Sequence, residues 1–238
     1  YTTDFTKNPL TFRHLGQNQT LPPGPAYNIF TTDNAEVHNA GEIWAQMMFE
    51  AYTRMLANPG ARTFAQVQRD MADYVVAGLA LTPVDATYTE QRDAVLAAAA
   101  AASTADFTQI AQGFAIRGAG TCAVGAARTS ITLDGIVESF TLAPVAGIGT
   151  VTLDDATISC DDDGFLDAQE RGRVRIQVTN VGAAPLTDGQ LSISSSTTGV
   201  TFPGGTTRAV PTIAPMASVI VNVPIALATN FPQQGAVQ

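Results

Sequence analysis

Asp33-Asn34-Ala35-Glu36-Val37-His38-Asn39-Ala40-Gly41-Glu42-Ile43-Trp44-Ala45-Gln46-Met47-Met48-Phe49-Glu50-Ala51-Tyr52-Thr53-Arg54-Met55-Leu56 is the stretch from which the architecture is read. Val37, Ala40, Ile43, Trp44, Met47, Met48, Ala51, Met55 and Leu56 recur at spacings of three and four, the period of one helical face. Asp33-Asn34 supplies a cap signal and Asn58-Pro59-Gly60 a stop, so one helix is expected over about 36–57. The apolar stripe is wide and holds the chain's single Trp. Such a helix is buried between neighbours.

Upstream, Tyr1 to Thr32 shows no sustained period and is punctuated by Pro9, Gly16, Pro22, Pro23, Gly24 and Pro25, which reads as a long ordered loop. Downstream, Thr63 caps a helix carrying Phe64, Val67, Met71, Tyr74, Val75 and Leu79 on one face. Thr87 or Thr89 caps a third that runs into an alanine tract, and Thr104 a fourth ending at Arg117-Gly118. Past Gly118 the period changes to two. Ile131, Leu133 and Ile136, then Val151 and Leu153, then Val174, Ile176 and Val178, then Leu191 and Ile193, then Val219, Val221 and Val223 alternate with polar neighbours. Helices followed by strands argue for a multidomain α-then-β chain. The expected division is a helical part over 1–129, a linker over 130–144 and an antiparallel β-sandwich over 145–238, itself incomplete at its C-terminus.

Composition removes two function classes. The 12 basic residues face 21 acidic ones, the net charge is −9, and Lys7 is the only lysine, so no basic stripe exists to hold a phosphate backbone. Nucleic acid is excluded as a partner. The longest unbroken apolar run, Val95 to Ala102, falls far short of the roughly 20 residues a membrane span needs. Tyr1-Thr2-Thr3-Asp4 has neither an initiator Met nor the layout of a signal peptide, which reads as a chain cut from something longer.

Only two histidines, His14 and His38, are available, and neither lies in H-E-x-x-H. His38 has Glu42 four residues on, on the same helical face. Two ligands do not make a zinc site, and a lone His in a first helical turn is commonly a surface or structural residue. The order of residues around it adds a resemblance. Asp33-Asn34-Ala35-Glu36-Val37-His38 resembles the segment of thermolysin-like zinc peptidases in which a helix starts at a Val-His pair, the His five residues after an Asp. Tyr1-Thr2-Thr3-Asp4-Phe5-Thr6-Lys7-Asn8-Pro9-Leu10-Thr11-Phe12, Val37 to Ala45, Tyr88-Thr89-Glu90-Gln91-Arg92-Asp93-Ala94-Val95-Leu96 and Phe114-Ala115-Ile116-Arg117-Gly118-Ala119-Gly120 are similar, in order, to blocks of the fungalysin family of secreted metallopeptidases. The resemblance covers about residues 1–140 and not the β region.

It implies that 1–129 is the helical C-terminal subdomain of such a peptidase, one wall of a cleft facing a zinc-bearing N-terminal half. It implies that His38 donates a hydrogen bond to the oxygen that turns negative as a peptide carbonyl is attacked. Asp33 would accept from the other ring nitrogen and orient the imidazole. The family's zinc ligands and general base precede the segment matched here, so zinc is expected as a cofactor with no ligand in this chain. Asp4, Glu36 and Glu42 are read as acids serving helix and loop ends. The implied partners are the N-terminal zinc-bearing half and a protein or peptide substrate, and the implied location is extracellular. The competing reading is a non-catalytic secreted binding or structural module.

Two further expectations concern the β region. Cys122 and Cys160, the only cysteines, are expected to pair, with two buried free thiols as the alternative. In a loop opening at Ser159, Asp161, Asp163, Gly164, Asp167 and Glu170 fall at positions three, five, six, nine and twelve of a calcium loop, and Phe165 offers the seventh ligand as a backbone carbonyl. Calcium bound by Asp161, Asp163, Phe165, Asp167 and Glu170, with help from Asp154, Asp155 or Asp162, stands against an acidic solvated turn.

Overall fold

A computed structural model describes residues 1–22, 33–158 and 163–231. The chain forms two compact units, Tyr1–Ala143 and Pro144–Gln238.

The first unit is built on four helices: α1 (Val37–Ala57), α2 (Phe64–Leu81), α3 (Tyr88–Ala102) and α4 (Thr104–Ile116). Their starts follow from side chains that satisfy the first turn's orphan N–H groups. Thr63 and Gln66 form a reciprocal capping box on α2, and Thr87, not Thr89, does so with Glu90 on α3. Ser103 caps α4, one residue before the expected Thr104. On α1 the cap is Glu36, whose carboxylate accepts from the N–H groups of His38 and Asn39. The Asp33-Asn34 signal serves the turn before it, where Asp33 accepts from the Ala35 N–H.

The helices pack as α1 on α4 and α2 on α3, with α3 also against α4. Met47, Ala51, Met55, Val95, Phe107, Ile110 and Phe114 are buried at these contacts. Gly113 permits the closest of them, since a Cβ there would lie 2.4 Å from the Ala51 Cα. A second tie is polar. Arg62, between α1 and α2, grips the buried Asp106 of α4 with two 2.6 Å bonds, and the Tyr74 hydroxyl of α2 adds a third at 2.9 Å. Burial pushes the Asp106 carboxyl upward, but the bonds from Arg62 and Tyr74 prevail and hold it below the usual range.

Arg117, at the end of α4, is fully buried. Its guanidinium pairs with Glu50 of α1 at 2.9 Å and donates to the carbonyls of Thr2, Asn8 and Leu10 at 2.8, 2.8 and 3.2 Å. The Phe5 ring lies 4.0 Å from it, and the Arg117 carbonyl accepts from the Phe12 N–H. One side chain thus fastens the N-terminal segment across α1 and α4. That segment is not loop throughout, because Phe12–Leu15 forms a 3-10 helix that buries Phe12, His14 and Leu15. Residues 23–32 lie outside the described set.

The alternation at Ile131, Leu133 and Ile136 does not make a strand. Ile131 is 90% exposed, Leu133 sits at φ +50°, and only isolated bridges, Ala119 with Ser139 and Val124 with Val137, form in this stretch. Alternation specifies a strand only where a partner supplies hydrogen bonds along its length. Much of the expected linker is instead tied into the first unit. The Thr132 carbonyl accepts from the Gln17 N–H, and Asp134 accepts from the Asn18 side chain.

The second unit has an antiparallel sheet ordered β1-β2-β6-β4, from Ala146–Ile158, Arg171–Asn180, Ser218–Leu227 and Val200–Thr201, and a two-stranded sheet of β3 (Gln190–Ser192) and β5 (Thr207–Ala209). Register places Val174, Ile176 and Val178 opposite Val223, Val221 and Val219. That face packs on Val210 and Ile213, with Leu186, Leu191 and Ile193 alongside. The same register brings Ile148, Val151 and Leu153 of β1 into the row, yet these remain partly exposed at the sheet's edge.

Two outcomes follow for the helical unit, which Trp44, the single Trp, reports selectively. Arg117→Ala leaves Glu50 buried without its partner and lowers stability by about 3–5 kcal/mol in urea unfolding. The Arg117→Met/Glu50→Met pair recovers the part of that loss that comes from the unpaired Glu50 charge, while the carbonyls of Thr2, Asn8 and Leu10 stay without their donor. An equal loss in both would show that the unpaired carboxylate is not a source of the loss.

His14 gives a pH signature. Its buried Nδ1 accepts the Thr11 N–H at 2.9 Å, and burial holds its pKa below the ordinary 6.5. The unfolded chain therefore takes up that proton first as pH falls. The stabilisation is full above about 6.5 and declines below it. His14→Gln flattens the Trp44-detected unfolding midpoint between pH 7 and pH 5; an unchanged slope contradicts this.

Candidate functional site

The exposed start of α1 carries the candidate residue. His38 is the second residue of the helix, its side chain 61% exposed, with Nδ1 2.8 Å from Glu36 Oε1. The other Glu36 oxygen accepts the His38 N–H at 2.9 Å and the Asn39 N–H at 3.3 Å. One carboxylate therefore caps the helix and holds the ring. The bond from His38, with the helix N–H groups, keeps the Glu36 carboxyl below the usual carboxylate range despite some desolvation. An ionised carboxylate has no proton to give, so Nδ1 is the donor. A ring that donates from Nδ1 carries an N–H at Nε2 only when it is also positively charged, and in that form it can donate to an oxygen that becomes negative.

Asp33 lies in the turn before α1. Its carboxylate meets the Ala35 N–H at 2.9 Å and the Gln17 amide at 3.1 Å, and its backbone carbonyl accepts from the Asn39 side chain at 2.8 Å. It builds the turn that aims the chain into α1. The carboxylate of Glu36, read from the sequence as serving the helix dipole, lies on Nδ1. An acid two residues before a His at a helix start was the available signal. Burial first, and then the nearby Glu42 carboxylate one turn on from His38, raise the pKa of the Tyr1 hydroxyl.

Deeper on the same helix, Trp44 stacks on Phe114 at 5.8 Å and meets Tyr88 at 5.7 Å. With Ala86, Thr87 and Gln91 it lines a shallow depression of about 200 Å³. Its walls are largely apolar, as a site for a side chain would be.

Among the described residues, no three His, Cys, Asp or Glu side chains gather to hold a metal. His14 turns inward onto Thr11 and His38 onto Glu36. The described part of the chain therefore does not fit zinc. In the acidic loop, Asp163 accepts the Phe165 N–H, Glu170 the Asp167 N–H, and Asp155 the Gly164 N–H. Asp155 and Glu170 are buried while Phe165 is exposed. Asp161, Asp162, Ser159 and Cys160 lie outside the described residues. Cys122 is exposed, in a backbone conformation of φ +68°. No described helix is long and apolar enough to cross a membrane.

Comparison with known proteins gives a coherent answer for the helical unit. The chain is 31% identical over 133 residues to the extracellular metalloproteinase mep of Aspergillus terreus, covering 50% of this chain and 18% of that protein. The chain thus spans about a fifth of the length of this relative. Residues 1–123, which hold all four helices, the Arg117 anchor and His38, match the fungalysin metallopeptidase (M36) model. With more than half of its residues inside that match, the chain belongs to the fungalysin metallopeptidase family.

Proposed function

We propose that the helical unit is one wall of the cleft of a secreted zinc endopeptidase, and that His38 stabilises the oxyanion formed as a substrate peptide carbonyl is attacked. The observation that carries this is the placement of His38. It is an exposed imidazole at the start of a rigid helix, its Nδ1 held at 2.8 Å, within the segment shared with the family. Rigid seating matters because a donor aimed in advance costs no reorganisation as charge develops. The metal ligands and the general base would belong to a zinc-bearing N-terminal half opposite this wall, and the metal would supply Lewis-acid chemistry there. This chain's own part is to bind, orient and donate. Asp33 supports the geometry through the turn preceding α1. Extracellular location is carried over from the relative, which is named an extracellular metalloproteinase.

The β unit is proposed as an accessory sandwich. For its acidic loop the calcium reading rests on the two buried carboxylates, Asp155 and Glu170, that receive the loop's own N–H groups. A bound ion would offset repulsion among the acidic residues that the sequence places in this one loop. Cys122 and Cys160 are proposed to form a disulfide.

Three measurements test these assignments. Purified alone, the chain retains no stoichiometric zinc and cleaves no casein; one tightly held zinc per chain sinks the division of labour. In a complete peptidase carrying this chain, His38→Ala lowers kcat about a hundredfold or more with zinc content unchanged, since one oxyanion donor contributes roughly 3–4 kcal/mol. Asp33→Ala costs less. Full activity in His38→Ala would return His38 to the surface residues and leave the binding-module reading in its place. Intact mass after alkylation without reductant shows no modified cysteine if Cys122 and Cys160 pair, and two modified cysteines if they do not.

A further inference from the structure

We infer that Glu36 is the positioning residue for His38: its carboxylate fixes the imidazole through Nδ1 while anchored to the helix N-terminus, and so directs Nε2 at the reacting oxygen. The inference rests on the oxyanion role proposed for His38. It adds a residue that the Asp–His spacing of the resemblance does not assign.

The geometry is economical. A glutamate at the cap position spans both the backbone and the ring of the residue two places on, with Oε2 on the His38 N–H at 2.9 Å and Oε1 on Nδ1 at 2.8 Å. The carboxylate cannot rotate to follow the ring without giving up the helix N–H groups. The ring is therefore held in one orientation relative to α1, which Arg117 and the close contact at Gly113 in turn hold to the rest of the unit. Asp33 takes the Ala35 N–H and the Gln17 amide in the turn before the helix, and Glu36 has a carboxylate oxygen on the ring.

Capping and positioning can be separated chemically. Aspartate is a strong cap but one methylene shorter, so Glu36→Asp keeps the helix start and loses the reach to Nδ1. Glu36→Gln keeps the reach and loses the charge. Because the chain has only two histidines, and His14 is buried on Thr11, labelling with ¹⁵N-histidine gives two separable ring systems in the chain as it stands.

In the labelled chain, both Glu36 variants move the His38 ring-nitrogen resonances while leaving those of His14 in place, and Asp33→Asn leaves the His38 resonances where they are. In a complete peptidase carrying the same substitutions, Glu36→Asp and Glu36→Gln each lower kcat about tenfold with KM little changed. Wild-type kcat in Glu36→Asp would reduce Glu36 to a helix cap and overturn the inference. So would unmoved His38 nitrogens in both Glu36 variants, or movement in Asp33→Asn alone. If the ring nitrogens move but kcat does not, while His38→Ala abolishes most activity, the positioning inference fails and the His38 role stands. If His38→Ala is fully active, the parent reading fails.

Discussion

The helical unit depends on a buried guanidinium. Arg117 is fully enclosed, and taking that charge out of water is favourable only because Glu50 neutralises it and the carbonyls of Thr2, Asn8 and Leu10 accept its remaining N–H groups. Burial alone draws the guanidinium's pKa down, and the Glu50 contact opposes that. The acceptors come from the N-terminal segment and from α1, and Arg117 itself from the end of α4, so the charge is satisfied only in one arrangement of the three. Apolar packing at Ala51, Met55, Ile110 and Phe114 supplies bulk stability, but many relative shifts of two helices would bury similar area. The ion pair and the close approach at Gly113 select one of them.

That selection reaches the candidate site through α1. Glu50 stands near the middle of the helix and Glu36 caps its start, so two acids on one element do opposite work: one is buried to fix the helix, the other is placed where it can hold an exposed ring. His38 gains from both. Its backbone is set by the anchored helix and its side chain by the capping carboxylate. This arrangement suits the proposal that two walls of a cleft supply different chemistry.

Much of the helical unit was legible in the sequence, because a 3.6-residue period bounded by cap residues states both the type and the limits of an element. Thr63 marked the start of α2 from sequence alone, while Thr87 and Thr89 were separated only by the capping box that Thr87 makes with Glu90. The Arg117 anchor was not, since its partners lie 67 to 115 residues away and an Arg after a helix reads locally as a dipole partner. Ile131, Leu133 and Ile136 misled for the opposite reason: the local pattern is present, but no neighbouring strand is there to use it. The short β4 and β5 carry too few residues for alternation to register. At the candidate site, His38 is singled out by its neighbours in sequence, while the contact from Glu36 was not read because one residue was given one role.

The central claim is that His38 faces the reacting oxygen. The direct measurement is a crystal structure of a complete peptidase carrying this chain with a phosphonate peptide bound, in which an anionic oxygen stands in for the tetrahedral oxyanion. The account predicts His38 Nε2 at about 2.7–3.1 Å from that oxygen, with Glu36 still on Nδ1. A structure in which the inhibitor's oxygen finds its donors elsewhere and His38 points to solvent would contradict it.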